Sequence, residues 1–374
     1  MNIYTIPSDK NTNPENSKDV ELIWFPTGGG KTEAYLGLAA FSIIYNRLIG
    51  TSSSYGVEVI MRYTLRLLTS QQFQRASTLI CALEYIRSSE NLNVIEASQF
   101  NNSSELSIGL WVGGSLTPNT NKDAVTKKKE LISTGSNPFQ ILSCPWCKTS
   151  LENPLGEEKP TYDGYQIKSV TSGREVVLQC HEGKCFYHGK TLPIYVVDEQ
   201  LYEKLPTILI GTVDKFAQLS WRQEPRKFFG LENEIKPPSL IIQDELHLIS
   251  GPLGSIVGHY EYLVRALCKS AGFLPKIVAS TATIKAASSQ VSKLYLSEVN
   301  IFPPNGLDYG DNYFSFPDKE GKGRLYVGIF ASATPSVITA QRNLVSPLLL
   351  FPSFLFYNED KNFETLRPGN DEAK

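Results

Sequence analysis

A glycine-rich turn near the start of the chain has the residue types that bind phosphate groups. It reads FPTGGGKT over residues 25–32 and follows the apolar segment 21–25. It matches the second half of the pattern G-x-x-x-x-G-K-[ST], with Phe25 in place of the first glycine. Glycines let backbone N–H groups turn toward an anion, and the helix that follows adds its positive N-terminus. The sequence therefore predicts a nucleotide site formed by Thr27, Gly28, Gly29, Gly30, Lys31 and Thr32.

Two side chains of this turn have separate expected roles. Lys31 would reach the β- and γ-phosphates of ATP. The Thr32 hydroxyl would ligate Mg²⁺, which prefers oxygen donors. Taken alone, the turn leaves an alternative open, which is a glycine-rich loop with an incidental lysine.

Two adjacent acids end another apolar segment, which reads LIIQDELH over residues 240–247. Asp244 is expected to hold Mg²⁺ through a water molecule, and Glu245 to orient and deprotonate the attacking water. His247 is expected to couple the nucleotide site to the rest of the molecule. A structural role is the weaker interpretation, because two carboxylates buried without a cation carry a large desolvation cost.

Four cysteines in two pairs indicate a structural zinc site. Cys144 and Cys147 form a tight C-x-x-C turn, and Cys180 and Cys185 follow after an interval of 32 residues. The second pair is more widely spaced than usual, so His181 and His188 are alternative ligands, and free thiols are the alternative to a metal. We find no open coordination position with a nearby base, which a catalytic metal would need. The remaining cysteines, Cys81 and Cys268, lie in apolar helical segments and are expected in the core.

Alternating apolar strands and helices must position these groups. Strands are predicted at 21–25, 57–61, 107–113, 207–210, 240–242 and 277–279, and helices at 32–48, 70–87 and 118–131. This alternation favours a parallel α/β sheet, in which ligands bind beyond the carboxyl ends of the strands. Lys31, Thr212, Asp244 and Thr281 all fall at such ends. A further strand at 324–330 and a helix at 337–350 are predicted near the end of the chain.

Composition and spacing suggest a division of the chain into parts. We predict a polar leader at 1–19, an α/β lobe at 20–140 and 191–300, a zinc-ribbon-like insertion at 141–190, and a linker with the start of an incomplete second lobe at 301–374. The net charge is −2 over 374 residues, so nucleic-acid binding would depend on local sites. The sequence contains neither a secretory signal nor an apolar run of about 20 residues, so a cytoplasmic location without membrane contact is expected.

The segment Asp244-Glu245-Leu246-His247 resembles the D-E-x-H box of superfamily 2 helicases, and the resemblance covers most of residues 21–283. It implies a RecA-like P-loop NTPase lobe that hydrolyses ATP with Mg²⁺. Thr281-Ala282-Thr283 looks like motif III of these helicases, which couples hydrolysis to nucleic-acid contact. A rival match at 332–334 lies too far downstream.

The same resemblance implies contacts with the backbone of a nucleic-acid strand. Residues 62–66 resemble motif Ia, 113–114 a glycine pair, and 211–216 motif Ib, although Val213 replaces the usual proline. The alternative is that these are capping and salt-bridging residues at strand ends. The expected contact residues are Arg62, Thr64, Arg66, Gly113, Gly114, Thr212 and Lys215.

More narrowly, residues 24–40 and 62–75 look like the helicase subunit of the bacterial DISARM anti-phage system. This implies DNA as the polymer and a partner protein of the same defence system. About 90 residues follow Thr283, fewer than the roughly 150 of a full lobe, so a second RecA-like lobe is expected in cis or in trans. The alternative function is a catalytically inactive nucleic-acid-binding or assembly module that uses ATP as a switch.

Overall fold

The computed structural model describes most of the chain, and the account below is restricted to the residues that it describes. These are 20–24, 30–49, 56–64, 66–89, 98–134, 137–152, 164–171, 173–231, 235–281, 287–304, 328 and 336–357. The chain divides into two compact units, Met1–Phe316 and Pro317–Lys374.

An eight-stranded parallel sheet forms the centre of the first unit. In chain order the strands of this unit are β1 Val20–Trp24, β2 Val59–Tyr63, β3 Ile108–Trp111, β4 Tyr165–Val170, β5 Gly173–Leu178, β6 Ile194–Tyr195, β7 Ile208–Thr212, β8 Leu240–Gln243, β9 Lys276–Thr281 and β10 Val299–Phe302. The order across the sheet is β10-β1-β9-β8-β2-β7-β3-β6, and every pairing within it is parallel. Strands β4 and β5 form a separate antiparallel hairpin.

Helices cover both faces of this sheet. They are α1 Lys31–Ile49, α2 Arg66–Ser88, α3 Ser98–Asn101, α4 Asn121–Thr134, α5 Asp198–Lys204, α6 Gly251–Ser270 and α7 Ala287–Tyr295. Short 3₁₀ helices span Val213–Ser220, Glu224–Phe229 and Leu246–Leu248. Strands buried on both faces are expected to be rich in aliphatic residues, and β2, β7, β8 and β9 each contain a run of three such residues.

The two faces of the sheet carry separate cores, because successive side chains of a strand point to opposite faces. Met61 of β2 packs with Tyr35 of α1 and Phe73 of α2. Its neighbour Ile60 lies in the opposite core, with Val264 of α6. Helices α1 and α2 therefore cover one face, and α6 and α7 cover the other.

The cysteine-containing region, to which the hairpin β4–β5 belongs, packs beside α2 through its turns. The Tyr187 hydroxyl donates a hydrogen bond to the Cys81 carbonyl of α2, at 2.7 Å. The Tyr85 ring, also on α2, lies 4.7 Å from the Phe186 ring and 4.8 Å from the Trp146 ring. The region is thus attached to the helix that covers one face of the sheet.

The described sheet and helices confirm the predicted fold class, an α/β lobe of the RecA-like type with a parallel sheet. Each of the six predicted strands is present, with ends shifted by at most two residues. Strands β6 and β10 were not predicted, since one is only two residues long and the other begins at Val299, where the sequence suggested the approach to a loop. The predicted strand at 324–330 lies outside the described residues, except for Gly328, and the domain boundaries remain predictions.

The second unit contains one described helix, α8 Val337–Tyr357, which extends the predicted helix by seven residues. Several large apolar side chains on it are exposed, among them Ile338, Leu348, Leu349 and Leu350. No helix in the described part of the chain is long and apolar enough to cross a membrane.

Gly109 of β3 tests how closely α5 approaches the sheet. A Cβ atom at this position would lie 2.3 Å from Cδ2 of Leu201 and 2.6 Å from Cγ of Pro206. We expect Gly109→Ala to lower the free energy of unfolding by about 1–3 kcal/mol, because the core is already filled. Chemical denaturation measures the change.

Gly258→Ala is the matched control, since a Cβ there would meet no atom within 4 Å on helix α6. It should raise the free energy of unfolding by about 0.5–1 kcal/mol, because alanine restricts the unfolded chain. Equal effects of the two substitutions would contradict the close approach of α5.

Candidate functional site

The predicted nucleotide loop connects β1 to α1 at the carboxyl edge of the sheet. Gly30 has a φ of 78°, in the left-handed region, and its carbonyl accepts the first hydrogen bond of α1 from Ala34, at 3.1 Å. Lys31 and Thr32 form the first turn of the helix and are half-buried. Thr27, Gly28 and Gly29 lie outside the described residues.

Strand register places the predicted acids beside this loop. Trp24, which ends β1, is opposite Thr281 of β9, and Ala279 of β9 is opposite Gln243 of β8. Asp244 follows Gln243 directly, so it lies at the same edge of the sheet as the loop. Strand β9 lies between β1, which leads into the loop, and β8, which leads into Asp244.

Three donors hold the Asp244 carboxylate, which is only 7% exposed. The Tyr35 hydroxyl donates to Oδ2, at 2.8 Å. The Ser280 hydroxyl and the backbone N–H of Glu245, the latter at 2.9 Å, donate to Oδ1. A carboxylate that accepts hydrogen bonds on both oxygens has one fixed orientation.

Tyr35 also connects Asp244 to the nucleotide loop. Its hydroxyl lies 3.1 Å from the Thr32 hydroxyl, which in turn accepts a hydrogen bond from Gln72 Nε2, at 3.4 Å. Burial, and after it the charge of Asp244, raises the pKa of Tyr35 far above its usual value. The phenol therefore keeps its proton at neutral pH and acts as a hydrogen-bond donor.

The sequence analysis missed Tyr35 and Ser280 as members of the site. Tyr35 lies three residues after Thr32 on the same helix, so both side chains share one face. That spacing was a usable signal. Ser280 carried none, because only the pairing of β9 with β8 brings it to Asp244.

Glu245 and His247 lie on a tight turn after β8. Glu245 adopts the left-handed conformation, with φ 49° and ψ 48°, which is uncommon for a residue with a side chain. Its side chain is 28% exposed, and its Oε2 lies 3.3 Å from Nδ1 of His247, without the alignment of a hydrogen bond. The Gln290 amide of α7 donates to the carbonyls of Leu246, at 2.8 Å, and Ile249, at 2.5 Å, and so fixes this turn.

Only part of the segment Thr281-Ala282-Thr283, which is predicted to couple hydrolysis to nucleic-acid contact, is described. Thr281 is buried at the end of β9, next to Ser280, which contacts Asp244. Ala282 and Thr283 lie outside the described residues. Helix α7 follows them and carries Gln290, so the chain after this segment contacts the turn that bears Glu245.

Two cations predicted to contact nucleic acid are buried inside the lobe. Arg62 is 2% exposed and pairs with Glu261 of α6, which is 1% exposed. Lys215 is 4% exposed and lies 2.6 Å from the Asp198 carboxylate, itself 1% exposed. Breaking such pairs to reach a phosphate would leave an unpaired buried charge. Their predicted role in nucleic-acid contact remains untested, and their burial argues against it.

The other predicted contact residues differ in how far they reach the surface. Thr64 and Gly113 are partly exposed and Gly114 is exposed, beyond the ends of β2 and β3. Thr212 is fully buried at the end of β7, and its hydroxyl lacks a hydrogen-bond partner within the described structure. Arg66 begins α2, but its side chain lies outside the described part of the chain.

The four cysteines of the two predicted pairs form one cluster. All four Sγ atoms lie within 4.8 Å of one another. Cys144 and Cys185 are 3.9 Å apart, and Cys147 and Cys180 are 3.5 Å apart. Four sulfurs placed tetrahedrally at about 2.3 Å from zinc would be roughly 3.8 Å apart. The donor set therefore fits a zinc ion.

Neither alternative histidine joins this cluster within the described residues. His181 and His188 are both exposed, while the four cysteines make up the whole ligand group. The cysteine pairs are presented by two turns, one in which Lys148 N–H donates to the Cys144 carbonyl and one in which His188 N–H donates to the Cys185 carbonyl. The structure thus favours four cysteine ligands over a mixed set.

The cysteine thiols differ in how readily they ionise. Burial raises the pKa of Cys144 to about 11. Burial also opposes ionisation of Cys147, but hydrogen bonding with Thr149 and then with Cys180 outweighs it and lowers the pKa to about 7. Because zinc binds thiolates, metal binding at this cluster would release protons.

Comparison with known proteins gives one close sequence match. No family model matches the chain. It is 37% identical to DISARM protein DrmA of Bacillus paralicheniformis over 399 aligned residues, which cover 92% of this chain and 34% of that protein. The chain therefore spans about a third of the length of this curated relative.

Several solved helicase structures also match the chain, at lower similarity. DUF1998 helicase MrfA bound to DNA is 13% identical, with a TM-score of 0.40 over 77% of this chain and 25% of that chain. Mss116p bound to ssRNA and AMP-PNP is 11% identical, with a TM-score of 0.41. The match covers 79% of this chain and 37% of that chain.

Substitution of a zinc ligand should remove the metal without removing the sheet. We expect Cys147→Ser to lower bound zinc from about one per chain to well below one, and to unfold the hairpin region first. Elemental analysis of the purified chain measures the metal, and hydrogen exchange of residues 164–191 measures the local unfolding. Cys268→Ala is the control, because Cys268 is buried in the opposite core. Loss of zinc from the control, or retention by Cys147→Ser, would contradict the site.

Arg62 allows a test of structural against nucleic-acid roles. Arg62→Ala should lower the free energy of unfolding by about 3–5 kcal/mol, because it leaves Glu261 buried and unpaired. The double variant Arg62→Met/Glu261→Leu should lose much less. Its DNA affinity, measured by fluorescence anisotropy, should stay within about twofold of the wild type if Arg62 contacts no phosphate. A larger loss of affinity in the folded double variant would support the predicted contact instead.

Proposed function

Because this chain is a homologue of DISARM protein DrmA over most of its own length, we propose that it is the ATP-binding and hydrolysing lobe of a superfamily 2 DNA helicase or translocase acting in anti-phage defence. The observation that supports this most directly is the contact chain from Thr32 through Tyr35 to Asp244. It joins the first turn after the glycine-rich loop to the acid after β8. The activity of the whole protein is part of this proposal, since the chain spans 34% of its relative.

The oxygen donors at this edge fit Mg²⁺. Thr32 and Asp244 both contact one tyrosine hydroxyl, so their oxygens lie close together. A hydroxyl and a carboxylate are ligands that Mg²⁺ accepts alongside nucleotide phosphates and water. When bound, the ion would neutralise charge on the phosphate oxygens.

Each protein group at the edge has a proposed part in hydrolysis. Lys31 binds the β- and γ-phosphates, and the glycine-rich loop supplies backbone N–H groups to the same anion. Glu245 orients the attacking water and accepts its proton. The partly exposed position of Glu245 beside His247 suits this role, because the carboxylate can reach a solvent molecule while Asp244 stays fixed.

We place the nucleic acid across the carboxyl edge of the sheet, against the exposed Gly114, the partly exposed Gly113 and Thr64, whose hydroxyl is buried and would have to turn outward to reach a phosphate. Hydroxyl and backbone N–H groups bind phosphate without reading base sequence, which suits movement along a strand. DNA is favoured over RNA because of the defence context of the relative. A second RecA-like lobe, in cis or in trans, would supply the arginines that stabilise charge during phosphoryl transfer. A partner protein of the same defence system is a further expectation.

Glu245→Gln tests the proposed chemistry. It should lower DNA-stimulated ATP turnover by about 10²-fold or more, because the general base is lost, while nucleotide binding persists. Steady-state phosphate release measures turnover, with the remaining lobe supplied where the isolated chain is slow. Glu203→Gln on the exposed face of α5 is the control and should turn over like the wild type.

One outcome would favour the alternative function. Equal, background-level turnover by the wild type and Glu245→Gln, with intact DNA binding, would indicate an inactive binding or assembly module in which ATP is a switch. A wild type that binds no nucleotide would reject both functions.

A further inference from the structure

We propose that Tyr35 is a positioning residue of the magnesium site, which holds Thr32 and Asp244 at their spacing before any metal binds. This rests on the proposed nucleotide function. Tyr35 contacts both oxygen ligands, with distances of 3.1 Å to Thr32 Oγ1 and 2.8 Å to Asp244 Oδ2. Within the described residues, it is the group that joins the loop side of the site to the acid side, across 209 positions of sequence.

The direction of the two hydrogen bonds follows from the number of protons available. A phenol carries one proton, and the ionised carboxylate of Asp244 can only accept, so that proton is used on Asp244. The 3.1 Å contact is then closed by the Thr32 proton, which the Tyr35 oxygen accepts. A Thr32 hydroxyl that donates to Tyr35 keeps its lone pairs for other partners. One receives the long contact from Gln72, at 3.4 Å, and the other stays available to a cation.

The position of the Tyr35 hydroxyl is set by the fold. Tyr35 is fully buried in the core between α1, α2 and the sheet, among residues such as Met61 and Phe73. A ring packed in this way cannot swing out to solvent without opening a cavity. Asp244 is also fixed from its other side, because Ser280 and the Glu245 N–H occupy Oδ1. Both ligands are therefore oriented without help from the metal.

Preorganisation of this kind raises metal affinity, because the cost of ordering the ligands is met during folding. Phenylalanine at position 35 would keep the ring and its packing but remove the hydrogen bonds of the hydroxyl with Thr32 and Asp244, and a further one with Tyr63. Thr32 and the Oδ2 atom of Asp244 would then be free to turn apart. The loss should appear in the magnesium dependence of nucleotide binding and leave metal-free binding unchanged.

The test compares the wild type, Tyr35→Phe and Tyr202→Phe in the full chain. A fluorescent ATP analogue is titrated at a series of Mg²⁺ concentrations and in EDTA, and circular dichroism records the melting temperature of each variant. We expect Tyr35→Phe to need roughly tenfold more Mg²⁺ for its half-maximal effect, in the range usual for loss of a group that supports a metal ligand. Its affinity in EDTA should match the wild type.

Tyr202→Phe is the matched control. Tyr202 also has a hydrogen-bonded hydroxyl, which accepts from Trp111 Nε1 at 3.0 Å, but it lies at the other end of the sheet. It should leave the Mg²⁺ midpoint unchanged. A Tyr35→Phe variant that is folded and has the wild-type midpoint would overturn the positioning role while leaving the proposed function intact. A wild type whose nucleotide affinity ignores Mg²⁺ would overturn the proposed function, and the positioning role with it.

Discussion

The Asp244 carboxylate is the group on which the candidate site depends. It is nearly buried at the end of β8, and a buried charge is tolerated only where hydrogen bonds or a cation compensate its lost hydration. Here a tyrosine from α1, a serine from β9 and a backbone N–H from the next residue provide that compensation. The need to satisfy one acid thus brings together α1, β8 and β9. Mg²⁺ would add to a ligand that is already oriented.

The need to compensate a buried charge also explains the pairing of the cations inside the lobe. Three cations are almost fully buried, and each is paired with a carboxylate that is also buried. They are Arg47, Arg62 and Lys215. Arg62 joins the end of β2 to α6, and Lys215 joins the 3₁₀ helix after β7 to α5. These pairs tie the loops at the carboxyl edge to the helices beneath them. Gly113 and Gly114, which are partly exposed and exposed beyond β3, are small and uncharged, and they suit backbone contact more than charge pairing.

The cysteine cluster shows a different way of stabilising a small region. The described parts of this region, residues 137–152, 164–171 and 173–191, contain one hairpin and two cysteine-bearing turns, too few elements to bury a core of their own. Four sulfurs within 4.8 Å and the contacts of Tyr187 and Phe186 with α2 replace that core. Since α2 covers the face of the sheet that also carries Tyr35, the cysteine cluster and the candidate site around Asp244 share a hydrophobic layer.

The sequence by itself determined the fold class, the order of the main strands and the residues with chemical capacity. Alternating aliphatic strands and helices identify a parallel sheet, and polar residues at the strand ends identify its functional edge, because both signals are local. Cys144, Cys147, Cys180 and Cys185 were likewise recognisable by spacing. Which charged residues are buried was decided only by tertiary structure: Glu261 reaches Arg62 across 199 positions, and no local pattern records that pairing. The same holds for Ser280 at Asp244, and for the exclusion of His181 and His188 from the cysteine cluster. A side chain's role depends on what faces it, and that is fixed only when distant segments pack together.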